Sequence, residues 1–176
     1  MTVFEAMANR SSTRAYTNAK VATEEIEEIL KAGLQGPTGT NRKEIRFSVV
    51  KGDNPILAEI DKEKRMMRAQ GELPNNFYYD APIVIFLSAE TYFKWSKIDA
   101  GIAVQNMALA AEGLGLGSLI IGSVFDALNG VRKKEFDKAL KIPEGFSFEI
   151  ALAVGRKAEE KAPHDYKMSE QVFFID

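Results

Sequence analysis

"AGIAVQNMALAAEGLGLGSLIIG", residues 100–122, decides how the rest of the chain reads. Its first half belongs to a helix over residues 99–113, with Ile102, Met107, Leu109 and many alanines spread over nearly every face. Such a helix sits at the centre of a domain or at an interface, not on a solvated surface. It is no membrane span, because Gln105, Asn106 and Glu112 interrupt it. Gly113, Gly115 and Gly117 suggest a dinucleotide fingerprint, but that fingerprint runs strand, glycines, helix. Here the helix comes first and the strand "GSLIIG" follows. The glycines therefore end a helix and allow close packing.

Outward from this centre, "APIVIFLSA" (81–89) is the continuous apolar run of a strand covered on both faces. "IRFSVV" (45–50) and "SFEIALAVG" (147–155) read as further strands. A first helix spans 2–9, where Thr2 and Glu5 form a capping-box pattern. A second spans 22–35, with Thr23 as its expected cap and Glu24 and Glu25 at its positive end. A third covers 54–66 with Pro55 in its first turn, and a charged fourth covers 131–140. Residues 68–79, with Gly71, Pro74 and paired asparagines, suggest a mobile excursion. The tail from Lys157 has little periodicity yet ends in apolar "QVFFI". Helices alternating with strands imply an α+β or three-layer α/β fold with one central sheet. A chain of 176 residues can build that as one domain with a real core.

Composition removes several function classes. A net charge of −2 supplies no basic field for nucleic acid. The absence of cysteine excludes disulfides, thiolate metal sites and a cysteine nucleophile, and the single histidine, His164, excludes a multi-histidine metal site. The N-terminus lacks a basic-then-apolar leader, so a cytoplasmic location is expected.

Two polar knots carry the functional signal. In "RSSTR" (10–14), Arg10, Ser12 and Arg14 alternate, so an extended backbone points all three the same way. Guanidinium forks and turning hydroxyls suit a phosphate; a solvated turn is the alternative. In "QGPTGTNRKE" (35–44), Gly36, Pro37 and Gly39 bare the backbone beside Thr38, Thr40 and Asn41. That suits a planar ligand approached closely, or else a plain helix-to-strand connector. Met66 and Met67 beside Arg65 and Arg68 read as a lid or as the surface end of a helix. Tyr78, Tyr79, Phe93 and Trp95 line a pocket or pack a core.

In order, "RSSTRAY", "GPTGTN", "DAPIVIF", "DAGIAVQNMALAAEGLGLGS" and "ALAVGRK" resemble the nitroreductase family of flavin enzymes over most of the chain. The resemblance implies a three-layer α/β/α sandwich with a central, mainly antiparallel sheet. It also implies a homodimer with FMN at the subunit interface. It places Arg10, Ser11, Ser12 and Arg14 on the flavin phosphate and ring edge, and Pro37, Thr38, Gly39 and Asn41 on the same flavin from the partner. The backbone at Ile121, Gly122 and Ser123 would lie over the ring. His164 and Lys167 stand where the family has a basic pair near the C-terminus, and residues 157–176 would pack on the partner subunit. The implied activity is oxidation of NADH or NADPH through flavin, with a nitroaromatic, quinone or similar acceptor and no catalytic side chain beyond the flavin. The alternative is a flavin-binding or sensing protein with little turnover. Where the family often continues the turn with Gln-Pro-Trp, this chain has Lys43, Glu44 and Ile45.

Overall fold

The computed structural model describes residues 1–68 and 74–175. In chain order the elements are α1 (Val3–Asn9), α2 (Thr23–Leu34), β1 (Arg46–Lys51), α3 (Pro55–Met66), β2 (Ile83–Glu90), α4 (Ser96–Gly113), β3 (Gly117–Ile121), α5 (Phe125–Leu128), α6 (Lys133–Leu140), β4 (Phe146–Gly155) and α7 (Met168–Gln171). The four strands form one sheet in the order β1-β2-β4-β3, with every neighbouring pair antiparallel. No helix of the described residues is long and apolar enough to cross a membrane.

The sheet is the middle layer of three. Alternate side chains of β2 face opposite ways, as a pleated strand requires. Ile83, Ile85 and Leu87 join Ile29 of α2 and Ala103, Val104 and Met107 of α4 in one core. Val84 and Phe86 join Leu57 and Ile60 of α3, Leu128 of α5 and Phe136 of α6 in the other. Both faces are covered, which explains the unbroken apolar run of β2. In β4 the register shifts between Leu87 and Ser88, whose partners are Ile150 and Phe148. The extra residue, Glu149, changes the phase of the pleat, so Phe148 shares a core with Ala151 and Ala153.

Local signals mostly act as read. Thr2 and Glu5 cap α1 reciprocally, with Glu5 N–H donating to Thr2 Oγ1 at 3.2 Å and Thr2 N–H to Glu5 Oε2 at 2.6 Å. Asn54 Oδ1 caps α3 by accepting from Ile56 N–H at 3.0 Å. Two readings are corrected. Ala22, not Thr23, is the N-cap of α2, and Glu25 takes the Ala22 N–H at 2.9 Å. Glu25 is held there by Arg156 at the end of β4, which donates to both its oxygens at 2.9 and 2.7 Å. The helix expected over 131–140 begins at Lys133 as α6, and a short helix, α5, precedes it; between them Asn129 Nδ2 donates to Phe148 O at 2.9 Å. Of the expected excursion, residues 69–73 lie outside the described residues. Residues 76–80 form a turn organised by Asn76, whose Oδ1 accepts from Tyr78 N–H and Asp80 N–H at 3.0 and 3.2 Å.

Candidate functional site

β3 is an edge strand, and the hydroxyl–arginine run lies along it. Ser12 bridges Ser118 in parallel, and Thr13 N–H donates to Ser118 O at 2.9 Å. The run is therefore extended. Thr13 points inward and is 2% exposed, while Arg14 is exposed and Ser11 and Ser12 are half-buried. Gly117 makes this approach possible: a Cβ there would lie 2.5 Å from Thr13 Oγ1 and 2.8 Å from Lys157 Cγ. Lys157 in turn pairs with the buried Glu112 at 2.8 Å, which anchors the floor under the run.

Cationic groups gather on the outer side. Arg10 Nη2 lies 3.2 Å from His164 Nε2. Lys161 Nζ donates to Ser12 O at 2.7 Å, a contact that no sequence motif announces. Arg42, Arg65, Arg132 and Arg156 are matched to carboxylates, but Arg10 and Arg14 have no carboxylate partner among the described residues. Two guanidinium groups so placed are available to an anion. Lys167 does not join them; it pairs with Glu170 at 3.1 Å on the exposed tail.

Arg14 opens onto a cavity of about 440 Å³ whose wall includes Ile121, Gly122 and Ser123. Arg68, Asn76, Phe77 and Tyr79 line its other side, and the Arg14 guanidinium lies 5.9 Å from the Tyr79 ring centroid. Of the four aromatics weighed as pocket lining, Tyr79 is the one that lines this cavity. Tyr78 is a core residue packed edge-on against Phe86. Phe93 stacks under Arg42, and Trp95 covers Gly39. Arg65, read as part of a lid, is held by Asp61 at 2.5 Å and donates to Asn75 O at 2.7 Å.

The second knot lies elsewhere. Residues 39–41 form a 3₁₀ turn in which Thr40 and Asn41 take φ of 55° and 56°. Gly39 N–H donates to Asp99 Oδ2 at 2.8 Å, and Lys43 N–H to Thr38 Oγ1 at 2.9 Å. Pro37 and Asn41 are exposed; Thr38 and Gly39 are half-buried. Asp99 begins α4 and Gly117 follows its end, so the turn and the cradle are separated by roughly 20 Å of helix. Within one chain the structure brings together Arg10, Ser11, Ser12, Arg14, His164 and the 121–123 segment, and leaves residues 37–41 apart.

The Nitroreductase family profile matches residues 7–156. A protein of Archaeoglobus fulgidus provisionally named an NADH dehydrogenase/NAD(P)H nitroreductase is 31% identical, over 86% of this chain and 83% of its own length. An FMN reductase (NADPH) of Bacillus subtilis is 26% identical, over 88% of this chain and 65% of its own. Among solved structures, a nitroreductase from Desulfitobacterium hafniense with bound FMN superposes with a TM-score of 0.88 at 28% identity, covering 99% of this chain and 98% of that one. The matched span holds the extended arginine–hydroxyl run, the glycine-rich turn and the whole four-stranded sheet, and the chain belongs to the nitroreductase family.

Proposed function

We propose that this chain is an FMN-dependent oxidoreductase that takes reducing equivalents from NADH or NADPH and passes them to a nitroaromatic, quinone or similar acceptor. One observation carries the reading: two guanidinium groups without carboxylate partners among the described residues, Arg10 and Arg14, flank the half-buried hydroxyls of Ser11 and Ser12 beside an open cavity. The residues present fit a flavin mononucleotide. Arg10, Ser11, Ser12 and His164 offer donors to one terminal phosphate. Arg14 lines the same cavity as the 121–123 segment, where the rest of the flavin would lie. Gly122 leaves that backbone bare, since nothing lies within 4 Å of where its Cβ would be. When bound, FMN supplies the hydride chemistry, and the protein orients it and tunes its electronics.

The same reading makes the protein a cytoplasmic homodimer. With most of α4 lying between residues 37–41 and the arginine–hydroxyl run, a second copy would bring the two together. Apolar side chains await such a partner: Phe4 is 83% exposed on α1, and Phe174 is 85% exposed in the tail, with Val3, Met7, Phe173 and Ile175 beside them. A C₂ pair would cover these surfaces and use each twice. In this reading residues 157–176 form the extension that packs on the partner.

Release of the cofactor by heat, followed by chromatography, tests the assignment. FMN in the extract is the expected result; stoichiometric FAD, or no flavin after reconstitution, would contradict it.

A further inference from the structure

The 37–43 turn carries a pair of carboxyl groups that flavin binding does not use. Lys43 adopts φ 55°, and the next residue, Glu44, enters the interior and is 1% exposed. Neither Glu44 carboxyl oxygen meets a donor from another of the described residues. An ionised carboxylate in such a place is strongly disfavoured. The group facing it is Asp99 of α4, 3% exposed and within hydrogen-bonding reach of the Glu44 carboxyl. Asp99 already holds the turn by accepting from Gly39 N–H at 2.8 Å. The turn has little slack, since a Cβ on Gly39 would lie 2.5 Å from Trp95.

The surrounding charges do not neutralise Glu44. Glu90, at the end of β2, adds a second negative charge from the sheet side. Arg42 lies close enough to feel the charge of Glu44, but its Nε and Nη2 both donate to Glu90, at 2.9 and 2.6 Å. Arg46 of β1 donates to the Lys43 and Ile45 carbonyls, and Lys43 itself is exposed.

We propose that Glu44 and Asp99 share one proton, with a carboxylic acid of Glu44 donating to Asp99, and that this proton positions residues 38–43 for the flavin site. The last clause rests on the functional reading above. Glu44 acts here as a positioning residue, through Asp99 and the Gly39 amide. Sharing a proton removes the repulsion between the two groups and gives an orphaned oxygen a partner. It leaves Asp99 Oδ2 free to hold the turn. Burial first, then the hydrogen bond and charge of Asp99, push Glu44 above the ordinary carboxylate range. The native state then binds a proton that the unfolded chain has already lost. That contribution is full below the unfolded value and is lost as pH rises through the folded one. The turn therefore loosens on the alkaline side.

Infrared spectra of wild type and Glu44→Gln, recorded as pH is raised through and beyond the ordinary glutamate range, test the proton, and FMN titrations of both over the same range test its use. The expected result is a carboxylic-acid C=O band that outlasts that of ordinary glutamate in wild type and is absent in Glu44→Gln. The ratio of wild-type to Glu44→Gln affinity should fall about tenfold per pH unit once Glu44 ionises, since Glu44→Gln keeps a donor, cannot ionise there, and shares every other titration of the site with wild type. A wild-type acid band that fades with that of ordinary glutamate would overturn the proposal. So would parallel affinity profiles in two proteins that both bind FMN. Failure of both to bind FMN at any pH contradicts the functional reading and the clause that depends on it, and the band still decides the shared proton. If Glu44→Gln does not fold, titration of wild type carrying ¹³C-carboxyl glutamate reads the same proton.

Discussion

Arg10 and His164, 154 residues apart in the chain, meet with Nη2 and Nε2 separated by 3.2 Å. The contact draws the C-terminal tail across the run that follows α1, and Lys161 adds a second tie at Ser12 O. The cradle is thus built from both ends of the chain on a floor supplied by β3.

Arg10→Ala and Arg14→Ala should each lose flavin far more than fold. Each substitution removes a charge-assisted contact worth about 1.5–3 kcal/mol, or roughly ten- to a hundredfold in affinity. Neither guanidinium is matched to a carboxylate among the described residues, so apo circular dichroism should stay near wild type. Fluorescence titration with FMN reads the effect; unchanged affinity in both variants would return the run to a solvated turn.

Gly117→Ala should damage the site without touching a polar group. The new methyl would meet Thr13 Cγ2 at 2.7 Å and Oγ1 at 2.5 Å, forcing the run away from β3. Overpacking of this kind costs about 1–3 kcal/mol. Denaturant unfolding should show that loss together with weaker FMN binding. Wild-type values on both measures would mean that the strand and run separate freely.

Lys157→Met should be the most destabilising of these changes. It strands Glu112, which is buried on α4, and removing one partner of a buried pair costs about 3–5 kcal/mol. A melting temperature lower by roughly 10 °C is expected. Burial pulls the Lys157 ammonium down, but Glu112 and Glu160 more than offset it, and its pKa lies above the ordinary value of 10.5. The pair's contribution is therefore full below that value and declines as pH rises beyond it. Wild-type stability that stays level through strongly alkaline pH would contradict this.

The central helix, the four strands, the cap at Thr2 and the start of α3 at Pro55 were legible because each depends on local pattern. So was the extended run at residues 10–14, through its alternation. Other features depend on residues distant in sequence. Ala22 caps α2 because Glu25 is fixed by Arg156, more than a hundred residues on. Asn129, between α5 and α6, is tied to β4 nineteen residues on. Lys161 binds a carbonyl, which no side-chain motif records, and Lys167 carries the charge expected at the site but lies on the tail with Glu170. Asp99 carries no local signal of a role, and only the fold shows it holding Gly39.

Mixing Arg10→Ala subunits with Asn41→Ala subunits tests whether the two knots serve one site across a dimer. Each heterodimer should hold one intact site and one doubly damaged site, and so retain about half the wild-type flavin. Sedimentation and flavin content across dilution should change together. A monomeric mass with flavin fully retained would defeat the dimeric site.

Visible absorption of the flavin-loaded protein during anaerobic addition of NADH and of NADPH, followed by a nitroaromatic or a quinone, tests the oxidoreductase assignment at its core. At least one nicotinamide should bleach the flavin band rapidly, and the acceptor should restore it over repeated cycles. A flavin band that neither nicotinamide bleaches, or that no acceptor restores, would contradict the oxidoreductase reading and leave a flavin-binding protein with little turnover.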